Sequence, residues 1–227
     1  MSDLNYDYTL FIPEFLLGGL VVLIMAIDLF APKVRKLYLS FVAAAGLLAT
    51  AGVSLAWIDD ELQFAQIISI DNYTTFFRVL FMTVAAVVCL ASGKLVEDKL
   101  RHPGEYYSLI ILSTIGAIGM AAARELMTAY LSLELLSFSL YILVSYAKFD
   151  KRSNEAGLKY MVLGAFASAM FLYGMSLVYG ITGSTYYSGI SEFLDAGVGD
   201  YDWAMLMALV LIVAGLGFKV AAVPFHM

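Results

Sequence analysis

The sequence predicts an all-α fold, a polytopic bundle of membrane-spanning helices. Three observations carry that prediction. The 227 residues are 62% hydrophobic and 14% charged, against about 45–50% and about 25% in an ordinary soluble domain. Seven apolar runs are each about 20 residues long, enough to cross a hydrocarbon core of about 30 Å as helices. The basic residues also fall on alternate loops between those runs, as topology rules for membrane helices require.

The expected spans are Leu10–Phe30, Leu37–Ile58, Tyr73–Gly93, Tyr106–Ala123, Leu126–Ala147, Glu155–Ile181 and Trp203 to the last residue. Helix is the structure for each, because an isolated span must satisfy its own backbone polar groups. Pro13 and Glu14 sit early in the first span, where a missing N–H costs little and the helix dipole favours an acid. Leu62, Phe64, Ile68 and Ile70 share one parity between spans two and three, which predicts a short interfacial β element. Asp71 is the expected N-cap of the third span. Gly164, Ala165, Ala167, Ser168 and Ala169 in the sixth span allow close helix packing. The stretch 182–202, rich in Gly, Ser, Tyr and Asp, reads as an extramembrane connection.

Charges set the orientation. Lys33, Arg35, Lys36, Lys94, Lys99, Arg101, Lys148, Lys151 and Arg152 are nine of the thirteen basic residues, and all lie on alternate loops. The opposite side carries Asp3, Asp7, Asp59, Asp60, Glu61, Asp71, Glu125, Glu192, Asp195, Asp200 and Asp202, with Arg124 as its one basic residue. The N-terminus is therefore expected outside and the basic loops in the cytoplasm. A net charge of −6 without a basic stripe argues against nucleic acid as a partner. One cysteine, Cys89, makes no intrachain disulfide and cannot alone hold an iron–sulfur cluster or structural zinc. It is expected as a small buried hydrophobe. The first nine residues have two acids and no Lys or Arg, so no cleavable signal peptide is read there.

The remaining charges lie within apolar segments, where each costs about 2.5–3.5 kcal/mol at a helix centre. Arg78, near the start of span three, is expected to snorkel to the outer interface. Glu14, Asp28 and Glu105 are expected at interfaces too. Glu134 lies deep in span five and needs a cation from another span. Lys159, one turn into span six, reads alone as a snorkelling lysine; beside Glu134 on the preceding span it becomes a candidate partner. Lys219 lies 16 residues beyond Trp203 among apolar neighbours. Lysine suits a proton carrier: burial favours its neutral form and a nearby carboxylate its charged form, whereas arginine stays protonated. Pro224 must break or kink the last span. His226 just beyond is either a titratable group or a helix-end histidine bonded to backbone.

These residues carry a resemblance. "FKVAAVPFHM" resembles the K-x-x-x-x-P-x-H motif of the antiporter-like membrane subunits of NADH:quinone oxidoreductase, respiratory complex I. "YLSLELLSFSLYILVSY" resembles that family's fifth helix and "EAGLKYMVLGAFASAMFLYG" the start of its sixth. "IDNYTTFFRVLF" fits the third, and "IPEFLLGGLVVLIMAIDLF" resembles the N-type members more than the L- and M-type ones. The resemblance implies an antiporter-like fold of about fourteen helices with a broken seventh, of which about seven are present. Residues 1–105 would hold helices 1–3, and 106–227 the first part of the antiporter-like repeat, with the chain cut short at its C-terminal end. It implies proton transfer by Glu134, Lys219, Lys159 and His226, with no cofactor and no metal in this chain. It also implies a bacterial inner membrane, with the lipid bilayer and other membrane-arm subunits, both antiporter-like and small, as partners. A cation/proton antiporter subunit and a non-transporting scaffold are the alternatives.

Overall fold

The computed structural model describes residues 8–30, 37–58, 62–64, 66–100 and 102–225. Among them are eight α-helices and one β-hairpin. Helix α1 (Ile12–Phe30) follows a 3-10 turn at Tyr8–Phe11, and α2 (Leu37–Ser54) runs into another at Leu55–Trp57. The hairpin pairs β1 (Leu62–Phe64) with β2 (Ile68–Ile70). Then come α3 (Asn72–Lys99), α4 (Pro103–Ala122), α5 (Leu126–Val144), α6 (Lys151–Thr182), the short α7 (Tyr187–Ala196) and α8 (Asp202–Lys219). All but α7 are long and apolar enough to cross a membrane, which makes seven such helices among the described residues. The chain is a multi-pass membrane protein.

The hairpin realises the parity pattern. Its antiparallel register sets Leu62 opposite Ile70 and Phe64 opposite Ile68, in keeping with that parity. Phe64, Ile68 and Ile70 pack with Leu10, Phe11 and Ala122. Ile68 also bridges to Ala123, and Arg124 N donates to Ile67 O at 2.8 Å. The α4–α5 junction is held from its other side as well, where Leu126 N donates to Thr185 O at 2.9 Å. Thr128 and Thr185 hydroxyls both donate to the Glu125 carboxylate.

Helices α1 to α4 enclose the main core, which includes Leu17, Ile24, Leu47, Met82, Ile111 and Ile118. Cys89 is buried in it, as expected. Asp71 caps α3 by accepting from Thr74 N at 2.8 Å. Asp28, near the end of α1, accepts from Gly104 N at 3.2 Å in the first turn of α4. Only glycine fits there, since an added Cβ would lie 2.6 Å from Asp28 Cβ. Large apolar side chains such as Phe15, Val22, Phe76, Phe166 and Trp203 face outward, where lipid replaces water as the solvent.

Two expectations change. Arg78 does not snorkel: it is 1% exposed and forms an ion pair with Glu14 of α1 at 2.6 Å. A carboxylate within reach removes the need to travel to water. The stretch 182–202 is not all loop, because it contains α7. Gly183 ends α6 with a left-handed φ of 69°, a conformation glycine adopts without a Cβ penalty. A new helix then starts four residues later.

Candidate ion-pair site

Three helices build the site. Glu134 is the ninth residue of α5, about 12 Å along the axis at 1.5 Å per residue. Lys219 is the last residue of α8. Ser168 lies on the buried face of α6 between them. Helix α8 reaches this place because α6 and α8 touch backbone to backbone. A Cβ added at Gly215 would lie 2.7 Å from Ala167 O, and one at Gly174 would lie 2.8 Å from Ala208 O. The small residues of the sixth span thus do allow close packing, and Gly215 of α8 completes it.

Lys219 and Glu134 meet. Lys219 Nζ is 3.7 Å from Glu134 Oε1, with side-chain exposures of 9% and 14%. The ammonium also donates to Ser137 Oγ at 2.7 Å and to Tyr141 Oη at 2.9 Å, and it lies 5.3 Å from the Tyr141 ring centroid. Ser168 Oγ donates to Glu134 Oε1 at 2.6 Å. Removing one partner of such a buried pair costs about 3–5 kcal/mol, because the other charge is left without compensation. The position of Lys219 at a helix C-terminus helps, since the dipole there favours a cation.

The chain turns immediately after Lys219. Pro224 has no N–H to offer, and its ring would strike the carbonyl four residues back in a continued helix. Here α8 stops five residues before Pro224, and Ala222 N donates back to Gly217 O at 2.8 Å. Phe225 folds against Gly217, where an added Cβ would lie 2.8 Å from its ring. The expected break is present, and it falls at Lys219. His226 lies outside the described residues.

Lys159 is placed elsewhere. It is exposed on α6 and pairs with Glu155 one turn before it. Lys159 and Ser168 are nine residues apart, about two and a half turns, so they occupy opposite sides of α6. The structure therefore brings Glu134 and Lys219 together and leaves Lys159 apart from them.

The residue reading left Ser137 and Tyr141 out of the site and took Ser168 only as a small packing residue. A signal was available for two of them. Ser137 and Tyr141 follow Glu134 by three and seven residues, so they share its helix face. Polar side chains on the face of a buried acid are candidates to solvate whatever that acid binds.

Residues 123–227 match the family described as "NADH:quinone oxidoreductase/Mrp antiporter, TM". Over 97% of its length the chain is 40% identical to NADH-quinone oxidoreductase subunit N 1 of Koribacter versatilis, of which it covers 46%. Over 96% it is 38% identical to NADH-quinone oxidoreductase subunit N of Dehalococcoides mccartyi, again covering 46% of that protein. Among solved structures it resembles a chain of respiratory complex I from Thermus thermophilus with bound aureothin. That match has a TM-score of 0.73 and 28% identity, and covers 95% of this chain and 45% of the other. The chain spans about half the length of the curated relatives it matches.

Proposed function

We propose that this chain serves in the membrane arm of a proton-translocating NADH:quinone oxidoreductase, as an N-type antiporter-like subunit, with Glu134 and Lys219 as its switching ion pair. The observation that carries this reading is the buried contact between those two side chains at 3.7 Å, inside the matched segment 123–227. A lysine whose carboxylate partner can be moved is a device for taking up and releasing a proton. With Glu134 beside it, Lys219 keeps its proton. With Glu134 drawn away, the ammonium loses its counter-charge and hands the proton to water along a hydrated path. Pro224 and the turn around it give that water a place to enter, since irregular backbone at membrane depth accompanies hydrated cavities. Lys159 and His226 are assigned to proton transfer on either side of the pair. Electron transfer from NADH to quinone belongs to other subunits, and no cofactor is assigned to this chain. The partners are its membrane-arm neighbours and the bilayer. The basic loops lie in the cytoplasm and the N-terminus outside.

The test is made in the intact complex. Glu134→Ala and Lys219→Ala are each expected to abolish proton pumping and to slow quinone reduction, with the complex still assembled. Normal pumping and normal quinone reductase rates in both variants refute the mechanism. Normal pumping in the paired neutral variant Glu134→Gln with Lys219→Met assigns the pair a purely structural role.

A further inference from the structure

Lys219 has closer partners than its carboxylate. Ser137 Oγ at 2.7 Å and Tyr141 Oη at 2.9 Å accept from the ammonium, while Glu134 Oε1 stands at 3.7 Å. Charge-assisted N–H···O bonds close to about 2.7–2.9 Å when two charges meet directly. The two hydroxyls therefore hold the ammonium, and the carboxylate sits beside it. Glu134 has a hydroxyl of its own, from Ser168 at 2.6 Å. Each charge keeps a polar neighbour when the other moves off.

Tyr141 is placed by a gap in α6. It is 4% exposed, and its ring stands edge-on to Tyr160, with centroids 4.7 Å apart at 89°. A Cβ added at Gly164 would fall on the Tyr141 hydroxyl and lie 2.5 Å from its Cζ. Any other residue at 164 displaces the phenol. Ser137 and Ser168 are also buried, so neither hydroxyl is free to wander.

We propose that Ser137 and Tyr141 form a hydroxyl cradle that holds the Lys219 ammonium apart from Glu134, and that Gly164 is the slot that seats Tyr141 in it. Tyr141 acts as a positioning residue on Lys219, and Gly164 acts through Tyr141. The inference rests on the proton-carrying reading of the Glu134–Lys219 pair. What it adds is the origin of the separation. A pair already parted by hydroxyls opens with less loss of contact than a closed one. Tyr141 further marks where the ammonium stays when the carboxylate leaves: toward the α5–α6 loop, two turns of α5 from Glu134.

The test uses the full-length protein in its assembled complex. Tyr141→Phe keeps the ring and removes the hydroxyl. Gly164→Ala adds the methyl that displaces it. Each is expected to lower proton-coupled turnover about tenfold, the weight of one hydrogen bond to a charged group. Subunit content and the KM values for NADH and quinone stay unchanged, which a general packing defect would not leave intact. In the Tyr141→Phe background, Gly164→Ala adds little further loss, because the bond it breaks is already absent. Multiplied losses in that double variant overturn the slot. Normal turnover in Tyr141→Phe, with Lys219→Ala inactive, overturns the cradle and leaves the ion-pair role standing. Normal turnover in both removes the ion-pair role itself. If Gly164→Ala does not assemble, Tyr141→Phe alone decides the cradle.

Discussion

Removing the Glu14 carboxylate should be among the most damaging single changes in the first half of the chain. Glu14 Oε1 accepts two bonds from Arg78, from Nε at 3.0 Å and from Nη2 at 2.6 Å. Arg78 is 1% exposed, and among the described residues its one other partner is Leu10 O at 3.1 Å. Its Nη1 has no hydrogen-bond partner among the described residues, nor does the buried Thr75 Oγ1 one turn earlier on the same helix. Glu14→Ala thus leaves a guanidinium that cannot lose its proton with a single carbonyl partner among the described residues. Breaking a buried pair from one side costs about 3–5 kcal/mol. Glu14 itself is 19% exposed, so the lower end, about 3 kcal/mol, is expected. Arg78→Met should cost less, because a carboxylate left behind can take up a proton and an arginine cannot give one up. The assay is unfolding of the full-length protein in one fixed detergent, with both single variants and the double variant forming a cycle. A coupling energy below about 1 kcal/mol, the range of solvent-exposed pairs, refutes the reasoning.

Two further predictions concern packing and pH. Gly215→Val should destabilise the α6–α8 contact by at least about 1–3 kcal/mol, the range for forced overpacking, because its Cβ meets Ala167 O and Phe171 N; unfolding midpoints in detergent check this, and an unchanged midpoint contradicts it. Tyr146, in the α5–α6 loop, has its phenol pushed well above the usual tyrosine range by burial, and then by its hydrogen bond to Glu105. An acid whose folded value is raised stabilises the fold fully below its unfolded value of about 10, and that contribution is lost as pH rises beyond it. Spectrophotometric titration should therefore show a late tyrosine that is missing from Tyr146→Phe, and identical curves for the two proteins contradict the assignment.

The number of spans was legible because charge and apolarity alternate together along the chain. Their ends were less so, for a physical reason. Apolarity stops where lipid stops, whereas a helix stops where its backbone bonds stop. Span three was expected to end at Gly93, yet α3 continues through Lys94, Glu97 and Asp98 to Lys99, charged residues that suit water, with Lys and Glu good helix formers. Span six was expected from Glu155, yet α6 begins at Lys151, where Asp150 accepts from Arg152 N at 2.9 Å as an N-cap. Glu134 and Lys219 were legible singly, each as a charge that depth makes costly, and the family resemblance joined them. The Arg78–Glu14 pair was not legible, because 64 residues separate its members and each is close enough to a span end to pass as interfacial. Short amphipathic α7 was hidden by its glycines and acids, which read as loop.

The two faces of α6 separate the basic residues of the site more sharply than their place in the chain suggests. Gly157, Gly164, Ser168, Phe171 and Gly174 lie on the buried face, and they are what α5 and α8 pack against. Glu155, Lys159, Val162, Phe166 and Tyr173 point the other way and are exposed. A lysine side chain is shorter than the helix is wide, about 10 Å with its side chains. No rotamer of Lys159 therefore brings its ammonium to Glu134 around α6. A proton passing between them needs water or another side chain beyond the described contacts, or a rotation of α6 that would pull Gly164 from the Tyr141 hydroxyl. The second alternative dismantles the cradle on Lys219 in the same movement. Lys159 and the buried pair would then be coupled through helix position, with Gly164 and Tyr141 as the coupling contact. Under the first alternative, water or an intervening side chain carries the proton from Lys159 to the pair, and Glu155 is the group that steadies Lys159 on the outward face.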